Sequence, residues 1–209
     1  MTKIKLCGMR RKEDITYANE LMPDYVGYVF APKSRRYITP ETAKGFTAML
    51  HEGITPVGVF VDEDTETVAR LYRQGIIKAA QLHGHEDETC VHTLQDMGIT
   101  VIKAFIIRSE DDLGAAQRSC ADHILLDSGM GSGQTLDTAV LKGLERDYFL
   151  AGGLSPDNVR AAVEELSPYG VDASSGLETD GFKDYEKMKR FMQEVRSKET
   201  DDRGHMLQV

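Results

Sequence analysis

Lys3-Ile4-Lys5-Leu6-Cys7-Gly8-Met9 reads as a short strand followed by a turn. Ile4 and Leu6 share one parity of that strand, Lys5 and Cys7 the other. A half-buried strand on a water-facing sheet shows the same alternation. Here the polar parity ends in a thiol, and the glycine directly after it permits a sharp exit. Taken alone, Cys7 reads first as a buried thiol that packs like a small hydrophobe. It gains weight only if later strands end in chemistry too.

Working outward, the strand-then-helix rhythm recurs along the chain. Ile15, Ala18, Leu21 and Met22 mark a helix face; Tyr25 to Phe30 is a strand punctuated by Pro32. Thr39-Pro40 predicts an N-cap with proline at the first helical position, and Ala43, Phe46 and Leu50 form that helix's buried stripe. Val57 to Val61 is a strand and Val68, Leu71 and Tyr72 a helix face. Lys78 to Leu82 leads into His83-Gly84 and a helix through Cys90, Val91, Leu94 and Met97. Thr100 to Ile107 is a fifth strand, before an alanine-bearing helix over Asp111 to Ser119.

His123 to Asp127 is the sixth strand, followed by glycine-rich Gly129 to Gly133 and a short helix near Ala139 to Leu144. Tyr148 to Ala151 ends in Gly152-Gly153, and Ser155-Pro156 repeats the cap-then-proline signal ahead of Val159, Ala162, Val163 and Leu166. Val171 to Ala173 ends in Ser174-Ser175-Gly176. A last helix carries Tyr185, Met188, Phe191, Met192 and Val195. Eight such units without a Pro/Gly/Ser linker predict an α/β fold, a single (β/α)8 TIM barrel, over residues 1–196, with a polar, frayed tail over 197–209. An open doubly wound sheet is the rival, but Gly131-Ser132-Gly133 does not supply the G-x-G-x-x-G fingerprint directly after a strand.

Composition bounds the function. The 209-residue chain is 41% hydrophobic and carries a formal charge of −9, which speaks against a broad nucleic-acid surface. An acidic protein still binds an anion locally, through N–H groups and one or two cations. Cys7, Cys90 and Cys120 are widely spaced and form no Cys-x-x-Cys pair, so reduced thiols in the cytoplasm are expected, with no metal site. No apolar run predicts a membrane span, and the N-terminus lacks a signal peptide's apolar core.

In a barrel of this kind the strands' C-terminal ends and the loops beyond them make the active site. If Ile4, Leu6, Ile124, Leu126, Val171 and Ala173 face the helices, then Lys5, Cys7, Asp127 and Asp172 point into the lumen. Charges are rarely buried alone, so a paired network supporting a site is expected there. Gly131-Ser132-Gly133, Gly152-Gly153 and Ser174-Ser175-Gly176 follow strands six, seven and eight. Each alone reads as a tight turn; together they point to a phosphate-bearing small-molecule substrate. Cys7 and Asp127 then form an acid–base pair across the mouth. Arg36 either clamps a substrate carboxylate or belongs to a solvated basic loop. His83 and His85 are a poor metal pair, and His83 is a structural or substrate-facing residue.

These residues resemble the phosphoribosylanthranilate isomerase family of tryptophan biosynthesis. The resemblance rests on Lys5 to Met9, Val26 to Phe30, Pro32 to Tyr37, Gly58 to Val61, Gln81 to Gly84, Leu125 to Ser128, Gly131 to Gly133, Ala151 to Leu154 and Val171 to Gly176. It implies a cofactor-free Amadori rearrangement with Asp127 as general acid, Cys7 as general base and Arg36 on the anthranilate carboxylate. The glycine-rich turns and Asp172 would complete the substrate site, and the protein would be a monomer or homodimer. One departure stands out: the family's Phe-Asp-Trp is Leu136-Asp137-Thr138 here, which bears on packing over the aromatic ring. The competing readings are another phosphosugar isomerase or epimerase, for which Arg36 has less use, and a catalytically silent phosphometabolite-binding protein.

Overall fold

Alternation along each strand sorts its side chains into two layers, and that sorting builds the architecture. The structure, a computed structural model, describes residues 1–127, 141 and 144–204. Its strands are β1 (Lys3–Cys7), β2 (Tyr25–Val29), β3 (Thr55–Phe60), β4 (Ala79–Leu82), β5 (Thr100–Ile106), β6 (His123–Asp127), β7 (Tyr148–Ala151) and β8 (Gly170–Ala173). They form a closed barrel in sequence order, every neighbouring pair parallel. Closure occurs where β1 meets β8, with Lys5 opposite Asp172. The described helices are α1 (Lys12–Leu21), α2 (Pro40–Met49), α3 (Thr65–Arg73), α4 (Glu88–Asp96), α5 (Glu110–Arg118), α6 (Val159–Leu166) and α7 (Tyr185–Gly204).

Ile4, Leu6, Ile124, Leu126, Val171 and Ala173 do face the helices, in one cluster with Ile15, Phe46, Val68, Val91, Val163 and Phe191. The other parity packs into the lumen, where Val57, Ile102, Leu125 and Phe149 form a second cluster and Cys7, Val29 and Val59 a third. The Thr39 hydroxyl accepts from the Thr42 amide at 3.2 Å, with Pro40 opening α2 as its sequence predicts.

Several local expectations are corrected. Met22, placed on a helix face, and Met97, placed within a helix, are 38% and 41% exposed. Each sits one step past the last helical residue, and Met22 has turned left-handed at φ 53°, so neither continues its stripe. Ser155-Pro156 does not cap α6, which starts at Val159 after a turn. Ser155 instead donates its amide to Asn158 Oδ1 at 2.8 Å, while Asn158 Nδ2 donates to the Gly153 carbonyl at 3.0 Å. The boundary expected after residue 196 falls inside α7. The helix expected near Ala139 to Leu144 lies largely outside the described residues, as does the whole of Gly129 to Thr138.

One element was not expected at all. A 3-10 turn (Ser175–Leu177) follows β8 and leads into a two-stranded hairpin, β9 (Glu178–Thr179) and β10 (Phe182–Lys183). Its turn residues Asp180 and Gly181 both have positive φ, 51° and 79°. Asp-Gly between strand-forming residues is the standard signal for such a turn, and it was present in the sequence.

Candidate active site

A cavity of about 390 Å³ opens at the C-terminal ends of the strands. Its lining includes Cys7, Arg36, His83, Asp127, Gly152, Gly153, Asp172, Ser174 and Ser175. Most of the candidate site residues therefore share one hollow. Gly131, Ser132 and Gly133 lie outside the described residues. Gly176 lines the cavity's support rather than its wall: a Cβ there would collide with the Leu154 carbonyl, so its bare backbone lets the loops after β7 and β8 touch.

Cys7 ends β1 and is seated by a close approach. It lies opposite Gly27 of β2, where an added Cβ would stand 2.6 Å from the Cys7 sulfur. Only glycine leaves the thiol its place. The Ser174 hydroxyl donates to the Cys7 carbonyl at 3.0 Å, tying the first strand's tip to the eighth's. Burial pushes the Cys7 thiol above its ordinary value; the ammonium groups of Lys5 and Lys183 pull it down, while Asp172 pushes it up.

Lys5 is wholly buried, and its ammonium donates to Asp172 Oδ1 at 2.9 Å. The paired lumen network expected from parity is thus present. Burial favours the neutral amine, yet Asp172 and Cys7 outweigh it and leave Lys5 raised above the usual lysine value. Asp172 also lines the cavity, so this one carboxylate faces both the lysine and the hollow.

His83 follows β4 and faces the same space. Its Nδ1 lies 3.3 Å from Gln81 Nε2, and its Nε2 lies 3.9 Å from Asp127 Oδ2. With Gln81 donating to Nδ1, the ring proton sits on Nε2, toward the carboxylate. The separation exceeds hydrogen-bonding range, so the relation is electrostatic. Burial lowers the His83 pKa against the opposing pull of Asp127, keeping the imidazole neutral near pH 7. Gln81 borders the cavity at 1% exposure, and its buried Oε1 has no partner among the described residues.

The loop carrying His83 is held by a buried ion pair the sequence reading missed. Glu86 accepts from Lys103 Nζ at 2.7 Å, from the Gly84 amide at 2.9 Å and from the Asp62 amide at 2.8 Å. Lys103 also donates to the Gly84 carbonyl at 3.0 Å. A carboxylate satisfied this fully fixes the turn after β4 and thereby aims His83.

Arg36 proves not to be a solvated loop residue. Its Nε and Nη2 donate to Glu178 Oε1 and Oε2 at 2.6 and 3.0 Å, so the guanidinium is already engaged at one edge. Glu178 also accepts from Lys183 at 3.0 Å, and Lys183 donates to the Ser174 carbonyl at 2.9 Å. Burial raises the Glu178 carboxyl's pKa, but Arg36 and Lys183 together hold it below the ordinary glutamate value. Among the described residues, no group of His, Cys, Asp or Glu is arranged to hold a metal ion, and no helix is long and apolar enough to cross a membrane.

The comparisons converge on one family. A family model described as N-(5′-phosphoribosyl)anthranilate (PRA) isomerase matches residues 4–194. A protein of that name from a Thermoanaerobacter species is 42% identical over 203 residues, covering 94% of this chain and 98% of its own. The crystal structure of phosphoribosyl anthranilate isomerase from Thermotoga maritima superposes with a TM-score of 0.87 at 36% identity, over 94% of this chain and 100% of the other. A crystal structure of the isomerase in complex with reduced 1-(o-carboxyphenylamino)-1-deoxyribulose 5-phosphate gives 0.85 at 35% identity, with the same coverage. A barrel with this cavity and these likenesses along nearly its whole length is an enzyme fold with a known membership: the chain belongs to the N-(5′-phosphoribosyl)anthranilate isomerase family.

Proposed function

We propose that the protein catalyses the Amadori rearrangement of N-(5′-phosphoribosyl)anthranilate to 1-(2-carboxyphenylamino)-1-deoxyribulose 5-phosphate, with Asp127 as general acid and Cys7 as general base. The observation that carries this reading is the shared cavity: thiol, carboxyl, arginine and glycine-rich turns border one hollow. Asp127 protonates the furanose ring oxygen as the C1′–O bond breaks, opening the sugar to a Schiff base. The Cys7 thiolate then takes the proton from C2′, giving an enolamine that tautomerises to the ketone. The rearrangement is internal, so no atoms are gained or lost overall.

The remaining residues orient the substrate. Gly152, Gly153, Ser174 and Ser175 border the cavity after the seventh and eighth strands, where barrels of this type hold phosphate, and Gly152 and Gly153 adopt positive φ of 95° and 70°. The unused edge of Arg36 suits the anthranilate carboxylate. The barrel strands and the helices around them act as one catalytic domain.

The test is an isomerase assay on the purified protein with phosphoribosylanthranilate. Turnover is expected in the wild type, with Cys7→Ala and Asp127→Asn each slower by roughly two to four orders of magnitude. Binding of the reduced product should persist in both variants. Near-normal turnover in either one removes that residue from its role.

A further inference from the structure

We propose that Glu178 is a positioning residue for substrate selection: it fixes the Arg36 guanidinium so that the edge Glu178 leaves unused faces the substrate's ring carboxylate. This rests on the reading of Arg36 as the carboxylate clamp. Glu178 takes the Nε–Nη2 edge of Arg36 with both oxygens. No hydrogen bond to a described residue uses Nη1, and Arg36 lines the cavity. A guanidinium carries five donors in a rigid fork, so a second carboxylate can be bound without releasing the first.

Arg36 is held from two sides. Gly8, at φ 85°, leaves no Cβ; one built there would collide with Arg36 Cδ, so the arginine stem lies on bare backbone. Glu178 holds the far end. An arginine free to sample its rotamers must be ordered when ligand binds, at a cost that pre-ordering removes. Charge points the same way. The Glu178 side chain is 5% exposed and meets Arg35, Arg36 and Lys183, so a single buried anion is surrounded by three cations. The surplus is positive, which suits a further anion rather than competing with it.

The carboxylate's own position is set by the hairpin β9–β10. Arg11 Nη2 donates to the Lys183 carbonyl at 2.8 Å, and Arg10 donates to the Gly181 carbonyl. Both guanidinium groups lie over the Phe182 ring, at 4.9 Å for Arg10 and 4.7 Å for Arg11. The loop after β1 thus straps down the hairpin that carries Glu178, a rigid attachment suited to an aiming role.

The experiment is calorimetric binding of two ligands to wild type, Glu178→Gln and Arg36→Met. One ligand is reduced 1-(o-carboxyphenylamino)-1-deoxyribulose 5-phosphate; the other is ribulose 5-phosphate, which lacks the aryl carboxylate. Glu178→Gln should weaken the first at least about tenfold and change the second by less than about twofold. Unchanged or tighter binding of the carboxylated ligand overturns the inference, because Glu178 would then be a bystander or a competitor. Equal weakening of both ligands overturns it as well, by showing general loosening of the site. If Arg36→Met leaves the carboxylated ligand unaffected, the clamp reading itself fails. If Arg36→Met weakens it while Glu178→Gln does not, only the positioning role fails. Should Glu178→Gln not fold, Glu178→Asp keeps the charge but draws it back from the arginine edge, and the same selective weakening, smaller in size, is expected.

Discussion

At the N-terminal end of the lumen the barrel is closed by rings; at the C-terminal end the same strands carry charge and a thiol. Phe149 is wholly buried, with Tyr25, Tyr169 and His123 meeting it edge-on at centroid distances of 5.6, 5.3 and 5.8 Å. His123 in turn stacks on Tyr169 at 5.0 Å. Above this plug, Lys5 and Asp172 form the buried ion pair, and Cys7 and Asp127 open onto the cavity. Both ends rely on a missing Cβ. Gly170 makes way for the Phe149 ring, where a Cβ would stand 2.5 Å from the nearest ring carbon, and Gly27 makes way for the Cys7 sulfur. The same device serves ring packing at one end and the seating of a thiol at the other, so what separates the ends is the chemistry of the inward residue and its access to solvent.

That contrast breaks if the two ends cannot be perturbed separately. Asp127→Asn should cost turnover the roughly two to four orders of magnitude expected of a lost general acid, while chemical denaturation shows stability within about 1 kcal/mol of wild type. Phe149→Ala should do the converse. Emptying a ring-sized space in the plug costs about 3–5 kcal/mol of unfolding free energy, and turnover measured where the variant remains folded should stay within about twofold. A Phe149→Ala enzyme of normal stability, or one that has lost its catalysis while folded, would show that the ends are not independent.

A pH profile sharpens the upper half of the comparison. Burial disfavours the Cys7 thiolate, so kcat/KM should climb with pH toward a limb above the ordinary thiol range. Lys5 pulls that pKa down, and Asp172 pulls it up. Lys5→Met removes the first influence and leaves the second without its partner, so the limb must move to higher pH. The profile is recorded at a temperature where the variant's circular dichroism is native. A limb that stays in place, or moves to lower pH, would separate the limb from Cys7 ionisation.

The two ends also differed in how far they could be read from sequence. Parity alone carried Lys5, Cys7, Asp127 and Asp172 to the lumen, because a strand's period of two is a local property. The glycine pairs were legible as turns at strand ends for the same reason. The partner of Arg36 was not, since Glu178 meets it from 142 positions away, and no local pattern ties two such charges together. Lys103 was not read at all: it lies on the helix-facing parity of β5, beside Val101 rather than Ile102, and nothing in that strand signals its partner. Glu86, brought over it by the loop after β4, makes that buried position tenable. The ring plug was missed because Tyr25, His123, Phe149 and Tyr169 come from three strands and a strand's approach, and only barrel closure stacks them.

The hairpin offers the smallest test, because it is an addition to the barrel whose turn lies away from the lumen, while its ends meet the cavity through Arg36 and Ser174. Gly181 sits at φ 79° with open space around its Cα apart from the Arg10 guanidinium 4.0 Å from an added Cβ. Gly181→Ala is therefore a backbone change almost without a packing change. A left-handed alanine costs about 1 kcal/mol. If the hairpin unfolds with the barrel, that cost appears in full as a lower denaturation midpoint. If it frays ahead of the barrel, the midpoint stays put and amide exchange quickens at Thr179 to Lys183 alone. The second result is the one expected, because two-residue strands joined to the barrel by arginine straps share little of its core. It would make the hairpin a third region, folded against Arg36 yet energetically separate from both the plug and the rest of the barrel.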